Sequence, residues 1–122
     1  MTRTSTRLVP ALRPGQSWEP PAIAELIAAA DEATRAMWDA VGAAREARSA
    51  RRRAIKDGAD LDRAVADHRA AEGALTRAIA GAVIARTDAR AAGGNLPWDS
   101  TVDERIKYPH IARAVGAQRA GE

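Results

Sequence analysis

Between residues 23 and 55 the apolar side chains fall three or four positions apart, at Ile23, Leu26, Ile27, Met37 and Val41. Trp38 belongs to the same set and Ile55 lies near its end, while small residues fill the gaps (Ala30, Ala33, Ala40, Ala44 and Ala47). A heptad-like 3.6-residue period sustained over that length predicts one long helix. Pro20 and Pro21 suit a first helical turn and Glu19 the positive end of its dipole. Arg51, Arg52, Arg53 and Lys56 suit the negative end, and Gly58 supplies a stop, so the helix is expected over about 21–57. Asp31 and Arg35 add an i,i+4 pair on the polar side.

A second stripe runs through Leu61, Val65, His68, Glu72, Leu75, Ile79, Ala82 or Val83, and Arg86. It predicts a helix over about 60–92, opened by Asp60 as N-cap and closed by Gly93-Gly94-Asn95. Two helices of similar length joined by so short a turn become antiparallel neighbours. The fold class expected is therefore all-α, a long antiparallel, coiled-coil-like helical hairpin. Folding about the turn sets Met37 and Trp38 near Ile79, and Gly42 near Leu75. Gly42, Gly73 and Gly81 would let the backbones approach closely.

The flanks read differently. Pro10, Pro14, Gly15, Pro20 and Pro21 forbid a continuous helix over residues 1–20, which predicts an extended arm that still carries Leu8, Val9, Leu12 and Trp18. Residues 93–122 open on Leu96-Pro97-Trp98. The pairs Ser100/Asp103 and Thr101/Glu104 have capping-box spacing, so a short helix is expected to start near Ser100 or Thr101. Pro109 should kink that helix or divide it, and Val102, Ile106, Ile111 and Val115 give it one apolar face.

Composition tempers the size of the core. Hydrophobic residues make up 46% of the 122 positions, but about a quarter of the chain is alanine and Phe is absent. Alanine favours helix and buries little area. Bulk gathers at the end of the hairpin away from the turn (Ile23 to Val41 and Leu75 to Ile84), while the turn end is alanine and charge. One small domain with this thin a core is marginal alone, which predicts apolar surface completed by another subunit.

The net charge is +3, with 17 Arg and 2 Lys, a bias that suits a GC-rich coding genome. Residues 1–20 carry +2, residues 21–58 carry +1, and the remainder is balanced. No single-sign segment stands out by count, so nucleic acid is not the favoured partner. The sharpest local feature is still the run Arg45, Arg48, Arg51, Arg52, Arg53 and Lys56, facing Arg63 across the turn. It reads as a solvated helix end partly neutralised by nearby carboxylates, or as a set of phosphate contacts. No aromatic residue is interleaved in the run to stack bases.

Catalytic chemistry finds little support. With no Cys, disulfides, thiol catalysis and Cys-based zinc sites are excluded. His68 and Glu72 are i,i+4 neighbours, but two ligands on one helix do not make a metal site. No serine sits in a nucleophile elbow, and Gly93-Gly94 is a helix terminator rather than a phosphate loop. No enzyme, cofactor or metal is expected. No apolar run is long enough to span a membrane and Met1 to Arg7 lead into no signal-like segment, so a cytoplasmic place, or one inside a virion or other large assembly, is expected.

These readings converge on a non-enzymatic structural subunit with protein partners, in a homo-oligomer or larger assembly such as the capsid or head–tail region of a tailed phage. The partner-facing residues expected are Leu8, Val9, Leu12, Trp18, Trp98, Tyr108 and Ile111, since aromatic residues outside the core make interface anchors. A nucleic-acid-associated accessory protein using the arginine run and the basic arm is the alternative, and a coiled-coil adaptor is a variant of the first reading.

Overall fold

A computed structural model describes residues 22–121. The expected arm, with Leu8, Val9, Leu12 and Trp18, lies outside the described residues. Those described are helical with no strand: α1 (Ile23–Asp57), α2 (Leu61–Ala91), a short 3₁₀ helix (Asp103–Lys107) and α3 (Pro109–Arg119). The two long helices pack against each other, and the tail folds onto α2.

Alanine and unbranched side chains let α1 run for 35 residues, about 50 Å at 1.5 Å per residue. It ends where Gly58 takes the left-handed conformation (φ 67°) and donates its N–H to the Ala54 carbonyl at 2.8 Å. Asp60 holds the N-cap position of α2, but at φ 53° and without a side-chain capping bond. Here the tight reversal decides the backbone, and Asp is one of the few residues that tolerates the left-handed region.

The far end of α2 is a Schellman closure. Gly93 (φ 95°) donates to the Arg90 carbonyl at 3.0 Å, and Gly94 to the Ala89 carbonyl at 2.8 Å. This return brings the next segment so close to both long helices that a Cβ on Gly94 would stand 2.7 Å from the Ala89 oxygen of α2 and 3.2 Å from Ile27 Cγ1 of α1. Glycine is therefore needed there. Gly42, by contrast, has open space where its side chain would be, so it does not mediate the close helix approach expected of it. Gly42 is five residues after Met37, about 140° round the helix from it, and so lies on the exposed side of α1 rather than in the seam.

The core sits at the end of the helix pair away from Gly58. Met37, Ile79, Ala82 and Val83 meet Val102 and Ile111 from the tail, with Ala33, Leu75, Ala78 and Val115 packed around them. The turn end is bare by comparison: Ile55 and Leu61 are exposed. Trp38 is also exposed rather than set against Ile79. Adjacent helix positions point about 100° apart, so Met37 and Trp38 cannot both face α2.

The tail departs from the expected single apolar face. Pro109 opens α3 at its first position, splitting the segment in two. The part before it is a 3₁₀ helix, where residues four apart point about 120° away from each other. Val102 is thus buried while Ile106 turns outward, and the restart at Pro109 aims Ile111 inward. Nor is the expected capping box formed. Asp99 caps instead, accepting from the Thr101 N–H at 2.9 Å, and Asp103 accepts the Asp99 N–H at 2.8 Å.

Candidate functional site

The strongest polar feature of the fold ties the tail to α2. Arg86 occupies the stripe position one turn beyond Val83 and is buried, so its charge needs a partner inside the fold. The 3₁₀ helix delivers Asp103 to it. Arg86 Nε donates to Asp103 Oδ1 at 3.0 Å and Nη2 to Oδ2 at 3.1 Å, while Nη2 also reaches the Pro97 carbonyl at 2.8 Å. Arg90, one turn further along α2, lies against the same carboxylate and donates Nε to the Leu96 carbonyl at 3.0 Å. The Arg90–Asp103 contact is not aligned as a hydrogen bond, so its contribution is mainly Coulombic.

Burial is the largest influence on the Asp103 carboxyl and pushes it up. Hydrogen bonds from Arg86 and the Asp99 N–H, with the close Arg90 guanidinium and the charge of Arg86, outweigh it and hold the group below its ordinary 3.8. Asp99 is lowered too, by the hydroxyl and N–H of Thr101. Glu104 is lowered by Lys107 and by the Trp98 indole N–H. This clamp was not foreseen. Its one signal in the sequence is an arginine at a core register position, 17 residues before the carboxylate that satisfies it.

Beside the clamp lies an open cavity of about 230 Å³, bordered by Val83, Ile84, Ile106, Val115, Trp98 and Arg119. Its charged neighbours are already committed: Asp103 to the two arginines, and Arg119 to Asp88 at 2.9 Å. Trp98 is 60% exposed, with Arg90 stacked 5.4 Å from its ring centroid. Ile106 and Tyr108, eight and ten residues further along the chain, are exposed as well, as is Ile23 at the start of α1. The residues offer apolar and aromatic contact area on a rigid support.

Of the partner-facing residues expected from the sequence, Trp98 and Tyr108 are at the surface. Ile111 is not: it is completely buried in the core, because the helix restart at Pro109 lays its side chain onto α2. Of the arginine run, Arg45, Arg48, Arg52, Arg53 and Lys56 are exposed. Arg51 is partly buried and places Nη1 3.3 Å from His68 Nδ1. His68 Nε2 stands 3.7 Å from Glu72 Oε2, an ion pair only when the imidazole is protonated. Among the described residues no group of three or more His, Asp and Glu is arranged to hold a metal, and no helix is long and apolar enough to cross a membrane.

No protein-family description matches the chain, and neither a curated protein nor a solved structure shows significant similarity to it.

Proposed function

We propose that the chain is a non-enzymatic structural subunit, a helical rod that docks onto protein through the apolar surface around its tail. In this reading α1 and α2 are the arms of an antiparallel, coiled-coil-like hairpin. Supporting that geometry, Met37 meets Ile79 while Arg51, further along α1, meets His68, earlier on α2. The observation that carries the functional reading is the cluster of exposed Trp98 and Ile106 at the rim of one apolar cavity, with Tyr108 close by. Exposed aromatic side chains on a fixed backbone lose little entropy when covered, which makes them effective anchors.

The first partner to test is a second copy of the chain. Light scattering coupled to size exclusion, on the full chain and on one starting at Pro20, should show an assembly larger than a monomer. The double variant Trp98→Ala, Ile106→Asp should shift the full chain toward monomer while its helix content is kept. A fully folded monomer that is insensitive to concentration and to both changes would remove the proposal.

A further inference from the structure

By count, residues 21–58 carry a net charge of only +1; by position on the helix their cations are concentrated on one flank. At 100° per residue, Arg45, Arg48, Arg52 and Lys56 fall within an arc of about 80° on one flank of α1, beside the buried seam of Ala30, Met37 and Ala44. They cover about 17 Å of rise. Among the described residues none of the four is in ion-pair contact with a carboxylate.

The neighbouring helix positions explain this. Apart from Asp60, those three and four residues away are Val41, Gly42, Ala44, Ser49, Ile55, Ala59 and further cations. Asp60, four residues after Lys56, lies past the helix end in the left-handed turn. The first half of α1 is built the other way, with Asp31, Arg35 and Asp39 alternating in sign at four-residue intervals. The second half instead sets like charges at 45/48, 48/52 and 52/56, an arrangement that weakens an isolated helix and that a bound polyanion relieves.

Tertiary structure lengthens the track. Trp38 falls in the same arc of α1, seven residues before Arg45, and the 3₁₀ helix lays the Arg105 guanidinium over its ring, 5.7 Å from the centroid. Arg105 is fixed there by donating Nε to the Thr101 carbonyl at 2.7 Å. A fifth cation and an exposed indole thus join the end of the stripe nearest the tail.

We propose that this flank of α1 is a binding track for the phosphate backbone of a nucleic-acid duplex, recognised without regard to sequence. A strand of duplex DNA presents a phosphate every 3.4 Å along its axis, so the stripe faces about five of them. Guanidinium groups suit phosphate because they donate in a planar fork. A membrane surface fits less well: a helix lying in the interface inserts its apolar face, and that face of α1 is packed on α2. The track uses none of Trp98, Ile106 or Tyr108, so binding to it does not require protein docking at the tail.

The test is fluorescence anisotropy of a labelled, mixed-sequence DNA duplex two turns long, titrated with the full chain across a salt series. Five phosphate contacts, Arg105 included, predict a log–log salt slope of about −4.5, hence a loss of roughly five-hundredfold in affinity between 50 and 200 mM salt. Replacing Arg45, Arg48, Arg52 and Lys56 together by Ala should abolish binding, and alanine at exposed helix positions keeps the fold. An equal-charge control, Ala at the exposed Arg63, Arg69, Arg77 and Arg113, should still bind. Arg105→Ala alone should lower the slope by about one contact. Equal loss in both quadruple variants, salt-insensitive binding, or capture by anionic vesicles with none by the duplex would each overturn the proposal.

Discussion

Replacing Asp103 by Ala removes one carboxylate that serves three partners at once. Arg86 loses the bonds at 3.0 and 3.1 Å, Arg90 loses its counter-charge, and the Asp99 N–H loses its acceptor at 2.8 Å. The side chains of Arg86 and Asp103 are 7% and 2% exposed, so water cannot take over the missing role without opening the tail. Breaking a buried pair from one side costs about 3–5 kcal/mol. For a domain whose whole stability lies somewhere in the range of roughly 5–15 kcal/mol, and whose core is thin, that is a large share. Urea unfolding followed by far-ultraviolet circular dichroism at neutral pH measures it directly. The informative companion is the double replacement Asp103→Leu, Arg86→Met, which removes the charges together and leaves apolar volume. It should recover much of the loss, because an apolar pair of similar size often matches a buried ion pair. Arg90, a quarter exposed, can turn its charge to solvent in that variant. A cost below about 1 kcal/mol for Asp103→Ala, the range of surface ion pairs, would refute the view that the clamp is dry and essential to the tail.

Ile111→Ala should cost about 2–5 kcal/mol in the same unfolding experiment, whereas Tyr108→Ala, at an exposed position, should stay within about 0.5 kcal/mol. Gly94→Ala should destabilise by about 1–3 kcal/mol, since the Ala89 carbonyl at 2.7 Å is backbone and cannot swing aside. Gly42→Ala, in open space within a helix, should stabilise by about 0.5–1 kcal/mol, so thermal melts of the two variants should move in opposite directions. With Asp103 held below 3.8 in the fold, its contribution is complete above that value and is lost as pH falls through the lower, folded value. An acid titration from about pH 5 to 2 should show wild type losing stability that Asp103→Asn has already lost, so the two curves converge at the acid end.

The long helices could be read from the sequence because their determinants are local. Alanine content, the 3.6-residue stripe and the glycines at 58 and 93–94 act within a turn or two of the residues they govern. The crowding of bulk away from the turn was equally readable, and the core sits there. What escaped the reading depends on register across a break or on pairing over distance. Ile106 and Ile111 exchange their expected roles because a 3₁₀ turn and a proline restart shift the phase between them. Trp38 goes to the surface because its neighbour Met37 takes the seam. Asp103 looked like a capping residue, the local reading, when its carboxylate belongs to arginines 17 and 13 positions earlier.

The clamp also bears on both surfaces. The 3₁₀ helix that supplies Asp103 to α2 carries Ile106 toward the apolar cavity and Arg105 toward Trp38 on α1. At three residues per turn Asp103 and Ile106 share one side of this short element, toward α2 and the cavity beside it, while Arg105 lies about 120° away, over Trp38. Such an element has few backbone bonds of its own and depends on what its side chains hold. Asp103 is the only one of the three that is buried and charge-paired on both sides, so it fixes the rotation of the element for the other two. Loosening it should disturb docking and phosphate contact together, although the carboxylate is buried and exposed on neither surface. By the same logic, alanine at Arg105 or a carboxylate at Ile106 should disturb only its own surface, because the clamp that sets the element's orientation stays intact.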